Sequence, residues 1–231
     1  MTSPVARRAG PLRRLWWRAL DYTAVGWWQT VAVLSRTHPE AFASAPAGAP
    51  TVVLLPGVYE PWRFLLPWAR LLHQRGASVH TMPELGLNRG SIPAAATALG
   101  RYLADRDLRG VTLVAHSKGG LIGKLAMAQE DPDGRIAELI AVNTPFAGSR
   151  YARWFPVRAV RAFVPTNATI LALATEHGAN ARITSAHSFW DPHVPEGSEL
   201  AGAVDVVLET PGHFRPMTDP VLVELLLARV G

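Results

Sequence analysis

One ten-residue segment constrains the fold of this chain more than any other. Residues 111–120 read Val-Thr-Leu-Val-Ala-His-Ser-Lys-Gly-Gly, and the helix-forming stretch 121–129 follows directly. The segment therefore predicts a strand, a sharp turn and a helix in that order, with Ser117 at the apex of the turn and exposed at the end of a sheet. Small residues flank the serine because strand and helix backbones approach closely there. We interpret Ser117 as a nucleophile.

Short apolar runs alternate with helix-forming stretches after residue 50. Such runs, bounded by turn residues, are typical of strands buried on both faces. The predicted strands are 51–55, 77–82, 111–114, 135–142, 180–185 and 203–208, and the predicted helices are 61–75, 92–105, 121–129 and 219–229. Strands separated by helices form right-handed crossovers. The expected fold is therefore α/β, with a mostly parallel sheet of about six strands and helices on both faces.

The first fifty residues differ in composition from the rest. They contain Arg7, Arg8, Arg13, Arg14 and Arg18, and four of the eight tryptophans, Trp16, Trp17, Trp27 and Trp28. The apolar run after Asp21 is shorter than the roughly 20 residues of a transmembrane helix. Three interpretations stay open for residues 12–35: an amphipathic helix at a membrane interface, a plain helix packed on the domain, or a secretory signal. The signal would use the twin-arginine-like Arg13-Arg14 and a cleavage site near Ala41-Phe42-Ala43.

Residues 39–50, rich in Ala and Pro, predict an extended linker between an N-terminal segment, 1–50, and one domain, 51–231.

The amino-acid composition excludes some classes of function. The absence of cysteine excludes disulfides, thiolate metal sites and a cysteine nucleophile. The chain has 23 Lys and Arg against 18 Asp and Glu, and its arginines are concentrated near the N-terminus. This distribution favours an anionic membrane surface over nucleic acid as a binding partner. We expect a cytoplasmic or peripheral membrane protein, with secretion as the alternative.

Three loops carry the residue types of a hydrolytic triad. Ser117 follows the third predicted strand, Asp191 the fifth and His213 the sixth. The carboxyl ends of parallel strands meet at one edge of a sheet, so we expect these loops to meet. A serine hydroxyl needs a base, which His213 supplies in the right pH range, and the imidazole needs a carboxylate, which Asp191 supplies. The predicted chemistry is an acyl-enzyme on Ser117.

Other residues compete for these roles. Asp205 lies inside an apolar strand and Glu209 is too near His213 in sequence, so Asp191 is favoured as the carboxylate. No spacing around Asp191 matches a zinc signature. His187 and His193, which flank Asp191, are expected to be solvated loop residues. His116, next to Ser117, is expected to be a packing residue.

Five pieces of the sequence, in order, resemble the α/β-hydrolase superfamily, and within it the bacterial class 2 lipases and esterases. They are Leu54-Leu55-Pro56-Gly57-Val58, Ala115-His116-Ser117-Lys118-Gly119-Gly120-Leu121, Val142-Asn143-Thr144-Pro145-Phe146-Ala147-Gly148-Ser149, Asp191 with Val194-Pro195, and Gly212-His213. The resemblance implies an α/β-hydrolase fold and hydrolysis of a small-molecule or lipid ester without metal or organic cofactor. It also implies an oxyanion hole built from the backbone N–H groups of Val58 and Lys118.

The sequence departs from the family pattern at the elbow and the oxyanion loop. Ala115 stands where the family usually has glycine, and Pro56 replaces the histidine that often braces the oxyanion loop. Lys118 is expected to act through its backbone alone. Residues 150–170, where the superfamily inserts its cap, alternate arginines with apolar residues, so they predict either a lid or a small cap helix with a solvated face. The candidate substrate or lid residues are Tyr59, Trp62, Trp154 and Phe155.

Three functions remain open on sequence. The first is a serine carboxylester hydrolase, of lipase or esterase type. The second is an acyltransferase or thioesterase that uses the same triad, since sequence does not distinguish the acceptor or the leaving group. The third is a catalytically inactive, membrane-associated binding protein that retains the fold.

Overall fold

The computed structural model describes residues 9–230. Its centre is a six-stranded sheet with the order β2-β1-β3-β4-β5-β6, in which every neighbouring pair is parallel. The strands are β1 (Thr51–Leu55), β2 (Ser78–Thr81), β3 (Val111–His116), β4 (Ile136–Val142), β5 (Ile183–Ser188) and β6 (Val204–Leu208). The predicted α/β architecture is therefore confirmed.

Seven α-helices accompany the sheet in the described part of the chain. They are α1 (Pro11–Leu34), α2 (Leu66–Gln74), α3 (Ile92–Asp105), α4 (Lys118–Gln129), α5 (Arg158–Arg161), α6 (Ala168–Thr175) and α7 (Pro220–Leu227). The helix predicted over 61–75 is split into a 3-10 turn, Trp62–Leu65, and α2. Pro67 explains the division, because proline has no N–H to donate and is tolerated in the first turn of a helix. The strand predicted over 180–185 begins instead at Ile183, after a 3-10 turn.

Two apolar cores lie on opposite faces of the sheet. One is formed with α3, α4 and α6 and includes Leu99, Ile122 and Leu173. The other is formed with α2 and α7 and includes Trp68 and Leu222. Because both faces are covered, the central strands β3 and β5 are buried along their whole length, whereas the edge strand β6 is largely exposed. The carboxyl ends of the strands form the edge at which loops can build a site.

Helix α1 packs on the second of these faces. The helix buries Trp17, Asp21 and Ala32, and its Trp28 packs against the core on that face. Residues 39–50, predicted as an extended linker, contain a 3-10 turn, Pro39–Phe42, whose Phe42 is buried. None of the described helices is both long enough and apolar enough to cross a membrane. Arg7 and Arg8 lie outside the described residues.

Candidate active site

Ser117 occupies a strained turn of a single residue between β3 and α4. Its backbone has φ 52° and ψ −115°, in the region that residues other than glycine rarely adopt. A Cβ at Gly119 would collide with the carbonyl oxygen of Leu55, and one at Gly120 would collide with the Thr144 side chain. The two glycines after the serine are therefore required by the close approach of helix and sheet. The turn has the strand–turn–helix geometry of a nucleophile elbow.

His213 and Asp191 form a short hydrogen bond. The Nδ1 atom of His213 lies 2.6 Å from Oδ2 of Asp191, and both side chains are about 6% exposed. The other carboxylate oxygen, Oδ1, accepts the backbone N–H groups of His193 at 2.7 Å and Val194 at 3.2 Å. Since a carboxylate accepts, Nδ1 of His213 carries a proton, and Nε2 of the neutral ring is the basic nitrogen. The carboxylate thus fixes the tautomer that a general base needs.

The charges around this pair shift both pKa values. Burial alone would lower the pKa of His213, but the Asp191 carboxylate, helped by Asp21 and Glu60, raises it above its ordinary value. Burial raises the pKa of Asp191, but His213, helped by His193 and its backbone N–H, more than reverses this, so that the pKa of Asp191 lies below its usual value. The arrangement stabilises an imidazolium next to a carboxylate, which is the state that forms when the base takes a proton.

The His213 ring lies against the nucleophile turn. Its centroid is 4.9 Å from that of His116, the residue before Ser117. The carbonyl oxygen of His213 accepts hydrogen bonds from His116 Nε2 at 3.0 Å and from Asn143 Nδ2 at 2.9 Å. The loop that carries His213 is therefore bonded directly to the ends of β3 and β4. The structure brings the predicted nucleophile, base and carboxylate to one edge of the sheet.

Asp21, a residue of α1, holds the same loop from outside the sheet. Its carboxylate is almost fully buried and accepts three backbone N–H groups: from His213 to Oδ2 at 3.0 Å, and from Phe214 and Arg215 to Oδ1 at 2.8 and 3.0 Å. Gly212 has φ 125°, and a Cβ at that position would collide with the Asp21 carboxylate. No role for Asp21 was predicted from the sequence. Its one sequence signal is an acidic residue within an apolar helix.

One amide in the turn after β1 has no hydrogen-bond partner among the described residues. The N–H of Gly57 is bound by Glu60 Oε2 at 2.6 Å, that of Tyr59 by the carbonyl of Leu87 at 2.8 Å, and that of Glu60 by the carbonyl of Gly57. Within residues 9–230, the N–H of Val58 has no such partner. The amide of Lys118, at the first position of α4, is likewise without one in the described part of the chain. Both predicted oxyanion donors are therefore available.

Glu60 links the turn after β1 to the nucleophile turn. Its carboxylate is buried and also lies 2.8 Å from Nδ1 of His116. Because the His213 carbonyl can only accept, Nε2 of His116 carries a proton, and the contact between Glu60 and Nδ1 needs a second one. Glu60 and His116 thus form one proton-sharing pair that joins the oxyanion turn, the nucleophile turn and the loop of His213. The prediction that His116 packs inward holds, and its link to Glu60 was missed.

Lys118 also acts through its side chain. The buried ammonium donates to the carbonyls of Asn88 at 2.7 Å and Gly90 at 2.6 Å. Asn88 in turn donates to the carbonyl of Pro56 at 2.7 Å. Burial lowers the pKa of Lys118 to about 8. The expectation that only its backbone matters is therefore wrong, because the side chain ties the nucleophile turn to the loop that supports the oxyanion turn.

The two competing histidines lie against other side chains and not in solvent. His187 lies 3.0 Å from Asp205 on the neighbouring edge strand. The ring of His193 packs 5.2 Å from that of His213 and 5.7 Å from that of Tyr22, and burial lowers its pKa to about 4. The prediction that both are solvated loop residues is wrong, since each is at least half-buried and has a ring or carboxylate neighbour.

The four candidate substrate or lid residues fall into two groups. Trp62 is 5% exposed and packs in the core beside α2, so it does not reach a substrate surface. Tyr59 is partly exposed in the oxyanion turn. Trp154 and Phe155 are exposed at the end of a 3-10 turn, Arg150–Trp154, within the segment predicted as a cap. Ser149, just before it, donates to the carbonyl of His193 at 2.7 Å, so the cap segment adjoins the loop of Asp191.

This architecture is the α/β-hydrolase fold, which confirms the expectation from the sequence. Among solved structures it is similar to the mature lipase BlEst2 of Bacillus licheniformis, with a TM-score of 0.61 and 15% identity over 79% of this chain and 94% of that one. It is also similar to a monoacylglycerol lipase of Paleococcus ferrophilus, with a TM-score of 0.56 and 16% identity over 79% and 96%. The type II thioesterase BorB, from the borrelidin biosynthetic cluster, has a TM-score of 0.57 and 18% identity over 80% and 93%. No family model and no curated protein sequence matches the chain.

Proposed function

We propose that this protein is a serine carboxylester hydrolase. One observation carries the proposal: a serine with positive φ at the strand-to-helix turn stands at the same sheet edge as a buried, hydrogen-bonded histidine–aspartate pair. Strain of this kind persists only where the surroundings enforce it, as at a nucleophile elbow. Ser117 is 6% exposed, so the expectation of an exposed serine is wrong, because the surrounding loops cover the turn. The names of the similar structures, two lipases and a thioesterase, agree with hydrolysis of an acyl bond.

The reaction runs in two halves. In the first, Ser117 Oγ attacks the ester carbonyl carbon while His213 Nε2 takes the hydroxyl proton, and the carbonyl π electrons move to oxygen. The tetrahedral intermediate collapses as His213 returns the proton to the leaving alcohol, which leaves an acyl-enzyme. In the second, His213 takes a proton from water, the hydroxide attacks the acyl carbon, and the acid departs as Ser117 regains its proton.

The amides of Val58 and Lys118 stabilise the negative oxygen of both intermediates. Each such donor is worth about 3 kcal/mol of transition-state stabilisation. Their positions depend on Glu60, which fixes the oxyanion turn, and on the Lys118 ammonium, which fixes the loop beneath it. The acidic and basic groups next to the site thus serve mainly to hold backbone amides in place.

A thioesterase or acyltransferase with the same triad is the second candidate. It is favoured by the similarity of the fold to a type II thioesterase. The two differ in leaving group and acceptor, so a comparison of p-nitrophenyl esters with acyl-thioesters, each over a range of acyl lengths, separates them. Equal or higher kcat/KM on the thioesters would favour the second candidate.

The decisive test of the mechanism is labelling by a fluorophosphonate probe, which reacts only with an activated serine. We expect the wild type to be labelled and Ser117→Ala to be unlabelled. Lack of labelling in a folded wild-type protein would instead support an inactive binding protein that has kept the fold.

A further inference from the structure

The solvent-facing side of α1 carries no charge over most of its length. From residue 19 to residue 34 every exposed residue is uncharged, and the exposed set consists of Ala19, Tyr22, Thr23, Gly26, Trp27, Thr30, Val33 and Leu34. The first turns add Leu12, Leu15 and Trp16, which are 62–82% exposed. A helix on the surface of a soluble domain normally presents charged residues to water. This face, which we call the outer face of α1, is therefore suited to contact with another apolar phase.

The opposite side of α1 is fixed to the domain. The ring of Trp17 packs 5.5 Å from that of Phe189 and 5.4 Å from that of Trp190, directly before Asp191. Asp21 accepts the three amides of the His213 loop, and Gln29 donates to the carbonyl of Tyr59 at 2.8 Å. These contacts prevent the helix from rotating its outer face inward, so the outer face is the permanent surface of the molecule at this point.

Cationic groups lie near both ends of the outer face. Arg13, Arg14 and Arg18 are exposed in the first two turns. At the other end, Arg36 and Arg70 line a groove of about 530 Å³ together with Trp27 and Leu34. Neither Arg36 nor Arg70 forms an ion pair with another described residue. The outer face therefore combines an apolar strip, which suits the acyl region, with tryptophans, which favour the membrane interface, and flanking arginines, which attract anionic headgroups.

We propose that the outer face of α1 docks the protein on a bilayer that contains anionic phospholipid, with the helix parallel to the membrane plane. Trp16 and Trp27 lie at the headgroup level, and the arginines contact lipid phosphates. Self-association through this face is disfavoured, because either orientation of two α1 helices brings arginines together with no exposed acid on the strip. Docking places the loop of Asp191, which contacts Trp17 and Tyr22, beside the lipid.

Vesicle flotation of the full chain tests the proposal independently of any enzymatic activity. We expect the wild type to float with vesicles of phosphatidylcholine and phosphatidylglycerol, and to float much less with phosphatidylcholine alone. The double variant Trp16→Ser/Trp27→Ser should lose about tenfold or more in partition coefficient, and Arg36→Gln/Arg70→Gln should reduce the preference for the anionic vesicles. Leu171→Ser, which changes an exposed apolar residue on α6, is the matched control and should float like the wild type.

Three results would overturn the proposal. The first is no flotation of a folded wild type on anionic vesicles. The second is an unchanged partition coefficient in Trp16→Ser/Trp27→Ser. The third is a concentration-dependent dimer in light scattering that the same double variant abolishes, which would make the outer face a contact between copies. Hydrolysis of a soluble ester without vesicles should be equal in the wild type and the double variant, so failure of docking is distinct from failure of the proposed activity.

Discussion

Replacement of Asp21 by Asn tests whether α1 is part of the catalytic apparatus. In the wild type, Oδ1 serves the amides of Phe214 and Arg215, and Oδ2 serves that of His213. An asparagine keeps one acceptor oxygen, which can satisfy the first two. Its NH2 group then faces the N–H of His213, and a buried donor left without an acceptor costs about 1–3 kcal/mol.

Two effects on catalysis follow from that geometry. The loop must shift to relieve the two opposed donors, and misplacement of the base should lower kcat/KM by about 10- to 100-fold, equivalent to about 1.4–2.7 kcal/mol. In addition, the Asp21 charge contributes to the raised pKa of His213. Since His213 acts as a base only when neutral, kcat/KM rises with pH through this pKa. Loss of the negative charge should therefore move the acid limb of the profile to lower pH.

The assay is the pH dependence of kcat/KM on a p-nitrophenyl ester, with urea unfolding measured in parallel. Asp131→Asn is the matched control, because Asp131 also accepts two backbone amides, from Arg135 at 2.6 Å and Ile136 at 3.0 Å, at the other edge of the sheet. It should lose stability and keep the wild-type pH profile. If Asp21→Asn lost stability but kept the wild-type kcat/KM and acid limb, Asp21 would be only a structural link.

Three further predictions concern the buried groups around the site. Glu60→Gln should keep most of the activity, because an amide can accept from Gly57 and donate to His116. Glu60→Ala should lose at least about tenfold in kcat/KM. Equal losses in the two variants would show that these hydrogen bonds of Glu60 do not support the site. Lys118→Met should lower the free energy of unfolding by about 2 kcal/mol in urea titrations and should also reduce kcat/KM. Unchanged stability and activity would mean that the hydrogen bonds of the ammonium to Asn88 and Gly90 do not hold the loop. Because the pKa of His193 is about 4 in the folded state and near 6.5 when unfolded, the unfolded state binds the proton more readily between these values. Stability should therefore fall as pH drops from about 6.5 to about 4. His193→Gln should weaken that fall, and an identical pH dependence would contradict the assignment.

The parts of the site that were predicted from sequence follow either from a contiguous motif or from the order of the strands along the chain. Strand, serine and two glycines are contiguous around Ser117, and the close approach of helix and sheet dictates the small residues. Asp191 and His213 were found because chain order in a parallel sheet decides which loops meet. The helix over 92–105 was predicted at its observed bounds, since Pro93 is typical of the first turn of a helix.

The groups that were missed act over long sequence separations and on backbone atoms. Asp21 binds amides 192 to 194 residues away, and any residue but proline offers such an amide, so no sequence pattern marks the partner. Glu60 had no predicted role, because its bond to His116 depends on how two loops pack. The same packing buries most of His193, which was predicted from the sequence to be a solvated loop residue. Tertiary burial, rather than propensity, decides these cases.

Labelling by a fluorophosphonate probe is the sharpest test of the proposed triad, since it requires an activated serine, a base and an oxyanion hole together. We expect strong labelling of the wild type, none of Ser117→Ala, and greatly slowed labelling of His213→Gln, with all three proteins folded. Labelling that persisted in Ser117→Ala would place the nucleophile elsewhere. A folded wild type that was never labelled would contradict the assignment of a hydrolytic triad.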